Sequence, residues 1–236
     1  MKGVRPRLEP ALTFVDPEVD PVAGAVLVLH GGQVRSRRAA KRSQLAVLRM
    51  RPFERNLARA GRREGVAVVS MLFRLRGWNG AEASPVADVF YGLDQIRDRY
   101  GPIPVVLVGH SMGGRAALRA AGHPSVTGVV ALAPWIPPDD PLPELRGKHL
   151  LIVHGSRDRW TDPRASRELV FRMQGIAASA LFVEVKGEAH SMLRRAPEWH
   201  DLTTAFALNV LGRESTTAVH TNVMHRATGG QVHVVI

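Results

Sequence analysis

The sequence predicts an α/β fold in which a mostly parallel central sheet is covered by helices on both faces. Short apolar runs alternate along the chain with segments of helical period, as in proteins built from strand–helix–strand units. The runs are apolar throughout, which is typical of parallel strands buried on both faces. The 236 residues, 45% of them hydrophobic and 22% charged, suffice for one large domain with a substantial core.

Six strands are predicted in chain order. Each is a run rich in valine, leucine or isoleucine that is bounded by glycine or polar residues. The runs are GAVLVLHGG (24–32), GVAVVSMLF (65–73), PVVLVG (104–109), VTGVVALAPW (126–135), HLLIVHG (149–155) and ALFVEVKG (180–187). We expect at most one further short strand before residue 24.

Five helices are predicted between and after these strands. They are RPFERNLARAGRREG (51–65), SPVADVFYGLDQIRDRYG (84–101), SMGGRAALRAAG (111–122), PRASRELVFRMQG (163–175) and APEWHDLTTAFALNVLG (196–212). Phe53 and Leu57 lie four residues apart and so share one face of the first helix. Ser84 is predicted to cap the second helix, with Pro85 at its first position.

The chain shows neither an internal repeat nor a linker that would divide it. We therefore predict a single domain over residues 1–211. The remaining residues, 212–236, have no helical pattern and are predicted to form a loosely attached tail, although QVHVVI (231–236) could add an edge strand.

One serine stands where a predicted strand runs into a predicted helix. Ser111 is the centre of GHSMG (109–113), which fits the pattern G-x-S-x-G in the strand–turn–helix context that the pattern requires. At such a turn the hydroxyl is pushed out above the sheet, and the N-terminus of the following helix favours developing negative charge. Ser111 is therefore a candidate nucleophile.

A serine hydroxyl needs a general base, and the base needs an orienting carboxylate. His190 follows the last predicted strand, and Asp158 and Asp162 both follow the strand before it. Because the carboxyl ends of parallel strands share one edge of the sheet, these side chains can converge on Ser111. Position relative to the strands leaves Asp158 and Asp162 as alternatives.

Four stretches together resemble the α/β-hydrolase family, over roughly residues 24–211. LHGG (29–32) is similar to the family's oxyanion turn, and RLRGWNG (74–80) to its R-G-x-G loop. GHSMGG (109–114) is similar to its nucleophile elbow, and HGSRDRWTDP (154–163) with GEAH (187–190) to its acid and histidine loops. The resemblance implies an α/β-hydrolase fold.

The resemblance also implies a role for each candidate residue. Ser111 would be the nucleophile and His190 the base. Asp158 would be the acid, because the family pattern H-G-x-x-D puts the acid four residues after the histidine, here His154. Asp162 precedes Pro163 and is predicted to cap the next helix instead.

The oxyanion hole is expected from two backbone N–H groups, those of Met112 and Gly32. Gln33 is the alternative donor if the turn lies one residue later. Neither a cofactor nor a metal is implied. His30, His110 and His154 are expected to pack beside the motif loops and to bond backbone groups, and the tail histidines His220, His225 and His233 lack a metal-binding spacing.

Many relatives carry a helical cap between the strands that correspond to 126–135 and 149–155. Here the connection is only IPPDDPLPELRGK (136–148), which is too short for a cap domain. We therefore expect an open active site without a lid.

The formal net charge is +11, and only four of the 32 basic residues are lysine. No nucleic-acid-binding motif accompanies the charge, and no apolar run approaches the roughly 20 residues of a membrane span. We expect a cytoplasmic protein without nucleic-acid or membrane partners; the oligomeric state is left open. The absence of cysteine excludes disulfides and a cysteine nucleophile.

The leading hypothesis is a serine hydrolase that cleaves small carboxylic esters. Thioesterase, lactonase and peptidase activity would use the same groups, and a non-catalytic relative is a separate alternative. The segment 33–51 should run along the rim of the site, where Arg35, Arg37, Arg38, Lys41 and Arg42 would either attract anionic substrates or form only a solvated basic face.

Overall fold

A computed structural model describes residues 9–214, 219–223 and 232–236. Its core is an eight-stranded sheet in the order β1-β3-β2-β4-β5-β6-β7-β8. The strands are β1 (Ala11–Val15), β2 (Gly24–Leu29), β3 (Val66–Leu72), β4 (Val105–His110), β5 (Val126–Leu132), β6 (His149–Gly155), β7 (Ser179–Val185) and β8 (His233–Val235). Strand β1 runs antiparallel to β3, and every other pair is parallel.

The described residues include six named helices. They are α1 (Leu45–Leu48), α2 (Arg51–Gly61), α3 (Ser84–Tyr100), α4 (Met112–Ala120), α5 (Pro163–Met173) and α6 (Ala196–Val210). The mostly parallel α/β fold is thus confirmed, and each of the six predicted strands and five predicted helices has a counterpart. Strand β1 is the one further strand allowed before residue 24, and β8 is the edge strand that QVHVVI could add. Helix α1 was not predicted.

The central strands divide the core into two halves because successive side chains point to opposite faces of the sheet. Leu27 of β2 packs in the half covered by α3, α4 and α5. Its neighbours Val26 and Val28 pack in the half covered by α2 and α6. All six residues of β2 are buried, which explains why its sequence is apolar without alternation.

The start of α3 differs from the prediction. Ala83, at φ 43°, is the residue before the helix, and Ser84 is its first residue. The Ser84 hydroxyl donates to Glu82 Oε1 at 2.8 Å and caps no helical N–H. The predicted cap at Ser84 is therefore wrong by one position, because the turn at Ala83 lets the helix begin one residue early.

Part of the segment predicted as a tail lies against the sheet. Strand β8 pairs in parallel with β7, and residues 219–223 are helical, with Val223 buried. The predicted boundary at residue 211 stays a prediction, and His225 lies outside the described residues. Within the described residues, no helix is both long and apolar enough to cross a bilayer.

Candidate active site

Ser111 stands at a strained turn between β4 and α4. Its backbone angles are φ 55° and ψ −115°, a region that non-glycine residues rarely occupy and that is associated with functional sites. The turn packs so tightly that a Cβ on Gly113 would lie 2.5 Å from the carbonyl oxygen of Leu29. The glycine of the motif is needed for this close approach, which holds Ser111 at the sheet edge.

Asp158 and His190 come together at that same edge. Asp158 lies after β6 and His190 after β7, and their Oδ2 and Nδ1 atoms are 2.7 Å apart. The Asp158 side chain is fully buried, while that of His190 is 11% exposed. With Nδ1–H donating to the carboxylate, the other ring nitrogen of His190 is left as a proton acceptor.

The Asp158 carboxylate is held by four further donors. Oδ2 lies 3.1 Å from His154 Nε2 and accepts from the Thr161 hydroxyl at 2.8 Å. Oδ1 accepts from the backbone N–H groups of Trp160 at 2.8 Å and Thr161 at 3.1 Å. Burial raises the pKa of Asp158, but the hydrogen bonds from His154, His190 and the two N–H groups outweigh it and hold the pKa well below its ordinary range.

Asp162 has a different position. Its Oδ1 accepts from the Arg164 N–H at 2.8 Å, which caps α5 as predicted. The structure therefore brings Asp158, and not Asp162, into contact with the histidine.

The three motif histidines differ in what they bond. His30 Nδ1 lies 2.6 Å from the carbonyl oxygen of Gly31, and His110 Nε2 lies 3.1 Å from that of His190. Both therefore bond backbone groups as expected, and burial lowers their pKa values to about 4 and about 3. The expectation for His154 is wrong: its nitrogens contact the side chains of Ser166 and Asp158, because the ring lies buried between α5 and the acid loop.

The predicted oxyanion donors lie around the same turn. Met112 is the first residue of α4, and Gly31 and Gly32 line the cleft beside Ser111. The N–H of Gln33, the alternative donor, is bonded to the carbonyl oxygen of Arg76 at 2.7 Å. Within the described chain, no such backbone bond engages the N–H of Gly32 or Met112. The geometry thus favours Gly32 over Gln33.

Glu188 organises the loop that carries the histidine, a function that we did not derive from the sequence. Its carboxylate is buried and accepts from the N–H groups of Ala189 at 3.0 Å and Arg195 at 2.8 Å. Its backbone carbonyl accepts from Arg157 N–H at 2.8 Å, which ties the acid and histidine loops together. The sequence carries no local signal for this role, which depends on the contact between the acid and histidine loops.

A cleft of about 410 Å³ opens over these groups. The centroid of the Trp160 ring lies 5.3 Å from that of His190. The residues Trp160 and Leu45 are 82% and 77% exposed. The cleft is lined by Gly31, Gly32, Leu45, Ala46, Arg49, His110, Ser111, Arg157, Arg159, Trp160, Ala189, His190 and Ser191. It brings together Ser111 and His190 with an apolar wall and three arginines.

The five basic side chains expected on the rim are not among these lining residues. Arg37 forms an ion pair with Glu82 at 2.9 Å, and Arg42 donates to the Thr13 hydroxyl on β1 at 3.1 Å. Only the end of the segment 33–51 reaches the cleft, through Leu45, Ala46 and Arg49. The expectation that these five side chains form a basic rim of the cleft is therefore wrong. Arg37 and Arg42 instead contact partners elsewhere on the surface.

The connection between β5 and β6 carries no cap domain, as expected. It is fastened to α4 by Asp140, whose two oxygens accept from Arg115 at 2.6 and 2.7 Å. The Arg115 guanidinium lies 3.9 Å from the Trp78 ring centroid and 4.3 Å from that of Trp135. The buried Arg115 thus stacks on two tryptophan rings and binds the Asp140 carboxylate with two hydrogen bonds, which fixes the position of the connection.

Comparison with known proteins agrees with this architecture. Residues 26–236 match the model of the alpha/beta hydrolase family, so the chain belongs to that family. The search of curated proteins finds no match.

Solved structures share the fold at low sequence identity. An alpha/beta serine hydrolase homologue from Coxiella burnetii is 18% identical at a TM-score of 0.62, covering 83% of this chain and 90% of that one. A serine hydrolase without a lid from Xanthomonas campestris is 19% identical at a TM-score of 0.60, covering 88% and 91%. An esterase from Pyrococcus furiosus is 19% identical at a TM-score of 0.59, covering 80% and 87%.

Proposed function

We propose that this protein is a serine hydrolase that cleaves small carboxylic esters through Ser111, His190 and Asp158. The observation that carries the proposal is the 2.7 Å contact between His190 and the buried Asp158, in the cleft that Ser111 also lines. A nucleophile, a base and an orienting carboxylate are the groups that acyl transfer needs.

In the first half of the reaction, Ser111 Oγ attacks the carbonyl carbon while His190 Nε2 takes the hydroxyl proton. The tetrahedral intermediate then collapses, the carbon–oxygen bond to the alcohol breaks, and His190 returns the proton to the departing alkoxide. Asp158 fixes the orientation of the imidazole and stabilises its protonated form. An acyl-enzyme on Ser111 remains.

Water completes the cycle by the same steps. His190 removes a proton from the water as it attacks the acyl carbon, and gives that proton back to Ser111 as the acid leaves. Both tetrahedral intermediates place negative charge on the former carbonyl oxygen. The N–H groups of Gly32 and Met112 are proposed to stabilise it, aided by the N-terminus of α4.

The same groups would also serve thioesters, lactones and peptides, because all of these pass through a tetrahedral intermediate. We place esters first because one of the solved relatives, that from Pyrococcus furiosus, is an esterase. A non-catalytic relative is the other alternative. It is disfavoured by the presence of all three groups, since His190 contacts Asp158 at 2.7 Å and lines the same cleft as Ser111.

The test is hydrolysis of p-nitrophenyl esters of increasing acyl length, beside acyl-CoA thioesters, by the wild-type protein and by Ser111→Ala. We expect kcat/KM for the short and medium esters to exceed that for the thioesters. We also expect Ser111→Ala to lower it by at least about 10³-fold with an unchanged circular dichroism spectrum. Hydrolysis that survives the substitution would contradict the proposal.

A further inference from the structure

Two arginines at the mouth of the cleft form no ion pair with an acidic side chain of the described residues. Arg157 and Arg159 flank Asp158 in the sequence, and both are exposed and line the cleft. In the described ranges 9–214, 219–223 and 232–236, no carboxylate lies within ion-pair distance of either guanidinium. Their guanidinium groups are therefore accessible to solvent and to a ligand in the cleft.

The remaining charge on the cleft wall has the same sign. Arg49 donates to the carbonyl oxygen of Ser191, next to His190. Burial lowers its pKa, and the nearby Glu188 carboxylate opposes this shift. None of the thirteen lining residues, all of which are described, is aspartate or glutamate. A cleft whose charged lining is of one sign raises the local concentration of the opposite charge.

An apolar surface lies beside these arginines. Trp160 follows Arg159 directly and is 82% exposed, with its ring centroid 5.3 Å from that of His190. Leu45, the first residue of α1, is 77% exposed, and both residues line the cleft. Large apolar side chains exposed together around a pocket are typical of ligand contacts.

We propose that the cleft selects amphiphilic esters: an apolar or aromatic portion packs on Trp160 and Leu45, and an oxyanion remote from the scissile bond lies against Arg157 and Arg159. This inference rests on the proposed function and specifies its substrate class. Carboxylates and phosphates share the required chemistry, since a guanidinium presents parallel N–H donors to either.

The first experiment measures binding without catalysis. Isothermal titration compares 4-phenylbutyrate and 4-phenylbutyl phosphate with the neutral 4-phenylbutanamide, none of which is an ester of a carboxylic acid. At low salt we expect each anion to bind the wild-type protein about fivefold or more tighter than the amide. The preference should shrink as salt screens the charges.

Paired variants test which arginines are responsible. Arg157→Gln with Arg159→Gln should abolish the preference, and Arg157→Lys with Arg159→Lys should keep most of it. Arg35→Gln with Arg38→Gln removes two exposed charges that do not line the cleft and serves as the matched control. Which anion binds more tightly decides between carboxylate and phosphate as the favoured group. Equal affinity for anions and amide, a preference that survives the glutamine pair, or no binding at all would overturn the inference.

A kinetic comparison separates this inference from the proposed function. p-Nitrophenyl hydrogen glutarate carries a distal carboxylate, and p-nitrophenyl valerate is its neutral counterpart. The glutamine pair should lower kcat/KM for the glutarate about fivefold or more relative to its effect on kcat/KM for the valerate. Failure to hydrolyse any ester, with anion binding intact, would contradict only the proposed reaction. Hydrolysis of both esters with equal effects of the glutamine pair would contradict only the proposed selectivity.

Discussion

Oδ2 of Asp158 lies 2.7 Å from Nδ1 of His190 and 3.1 Å from Nε2 of His154, so one carboxylate oxygen is within hydrogen-bond distance of two histidines. His154 is fully buried and its other nitrogen lies 2.9 Å from the Ser166 hydroxyl. The second histidine therefore anchors the carboxylate from behind, while His190 faces the cleft.

Asp158→Asn should lower kcat/KM for ester hydrolysis by about 10³- to 10⁴-fold, because the amide cannot stabilise a protonated His190. Asp162→Asn is the matched control, since asparagine still caps α5 and the residue does not touch His190. We expect the control to stay within about twofold of wild type. The reverse ranking in a steady-state assay would show that the acid is misassigned.

Thr161→Val should lower kcat about 10-fold with little change in KM. The Thr161 hydroxyl donates to Asp158 at 2.8 Å and lies 3.2 Å from His190 Nδ1, but the residue does not line the cleft. Thr161→Ser keeps the hydroxyl and should restore kcat, and only the valine variant should shift the acidic limb of the pH–rate profile. Equal losses in both variants would indicate a packing role alone.

Stability should fall as the pH drops from about 6.5, the ordinary pKa of histidine, to about 4, the pKa of His30 in the folded protein. The folded state keeps His30 and His110 neutral, with pKa values of about 4 and about 3, whereas the unfolded chain binds protons near the ordinary pKa of about 6.5. The unfolded state thus binds more protons, and each ring costs up to about 1.4 kcal/mol of unfolding free energy per pH unit.

This prediction is checked by urea denaturation at several pH values. His30→Asn and His110→Asn should each reduce the slope of the unfolding free energy against pH. The reduction should correspond to about one fewer proton taken up on unfolding. Curves for wild type and variants that run parallel below pH 6 would contradict the assignment of neutral, buried rings.

Activity should rise smoothly with the concentration of a short-chain ester and show no jump when the substrate forms droplets. The β5–β6 connection carries no cap, and the ion pair between Asp140 and Arg115 fastens it. Tributyrin hydrolysis measured across the solubility limit checks this. A sharp increase in the hydrolysis rate above the solubility limit, in the wild-type protein or in Asp140→Asn, would show that a segment covers the site and would contradict the prediction.

The sequence was sufficient for those parts of the fold and site that depend on local chemistry. The apolar runs predict β2 to β7 because buried parallel strands need no alternation. The positions of Asp158 and His190 after successive strands predict their convergence, since strand ends share one edge. Asp162 could be separated from Asp158 because the resemblance to the family pattern H-G-x-x-D points to Asp158, and because Pro163 marks the start of α5.

What could not be predicted depends on contacts between distant segments. Thr161 and Glu188 are ordinary residues in their own loops, and only the approach of the acid and histidine loops gives them a role. Helix α1 is four residues long, too short to show a helical period. The basic segment 33–51 was misjudged because the partners of Arg37 and Arg42 lie 45 and 29 residues away in sequence.

The central claim is that Ser111 is the nucleophile, and covalent labelling tests it most directly. The protein is treated with an alkyl fluorophosphonate, digested, and mapped by mass spectrometry, with Asp158→Asn as a variant that keeps the serine but weakens its activation. We predict one adduct per chain, on Ser111, that forms much more slowly in Asp158→Asn and is absent from Ser111→Ala. Labelling at another residue, or labelling of Ser111→Ala to the wild-type level, would contradict the account.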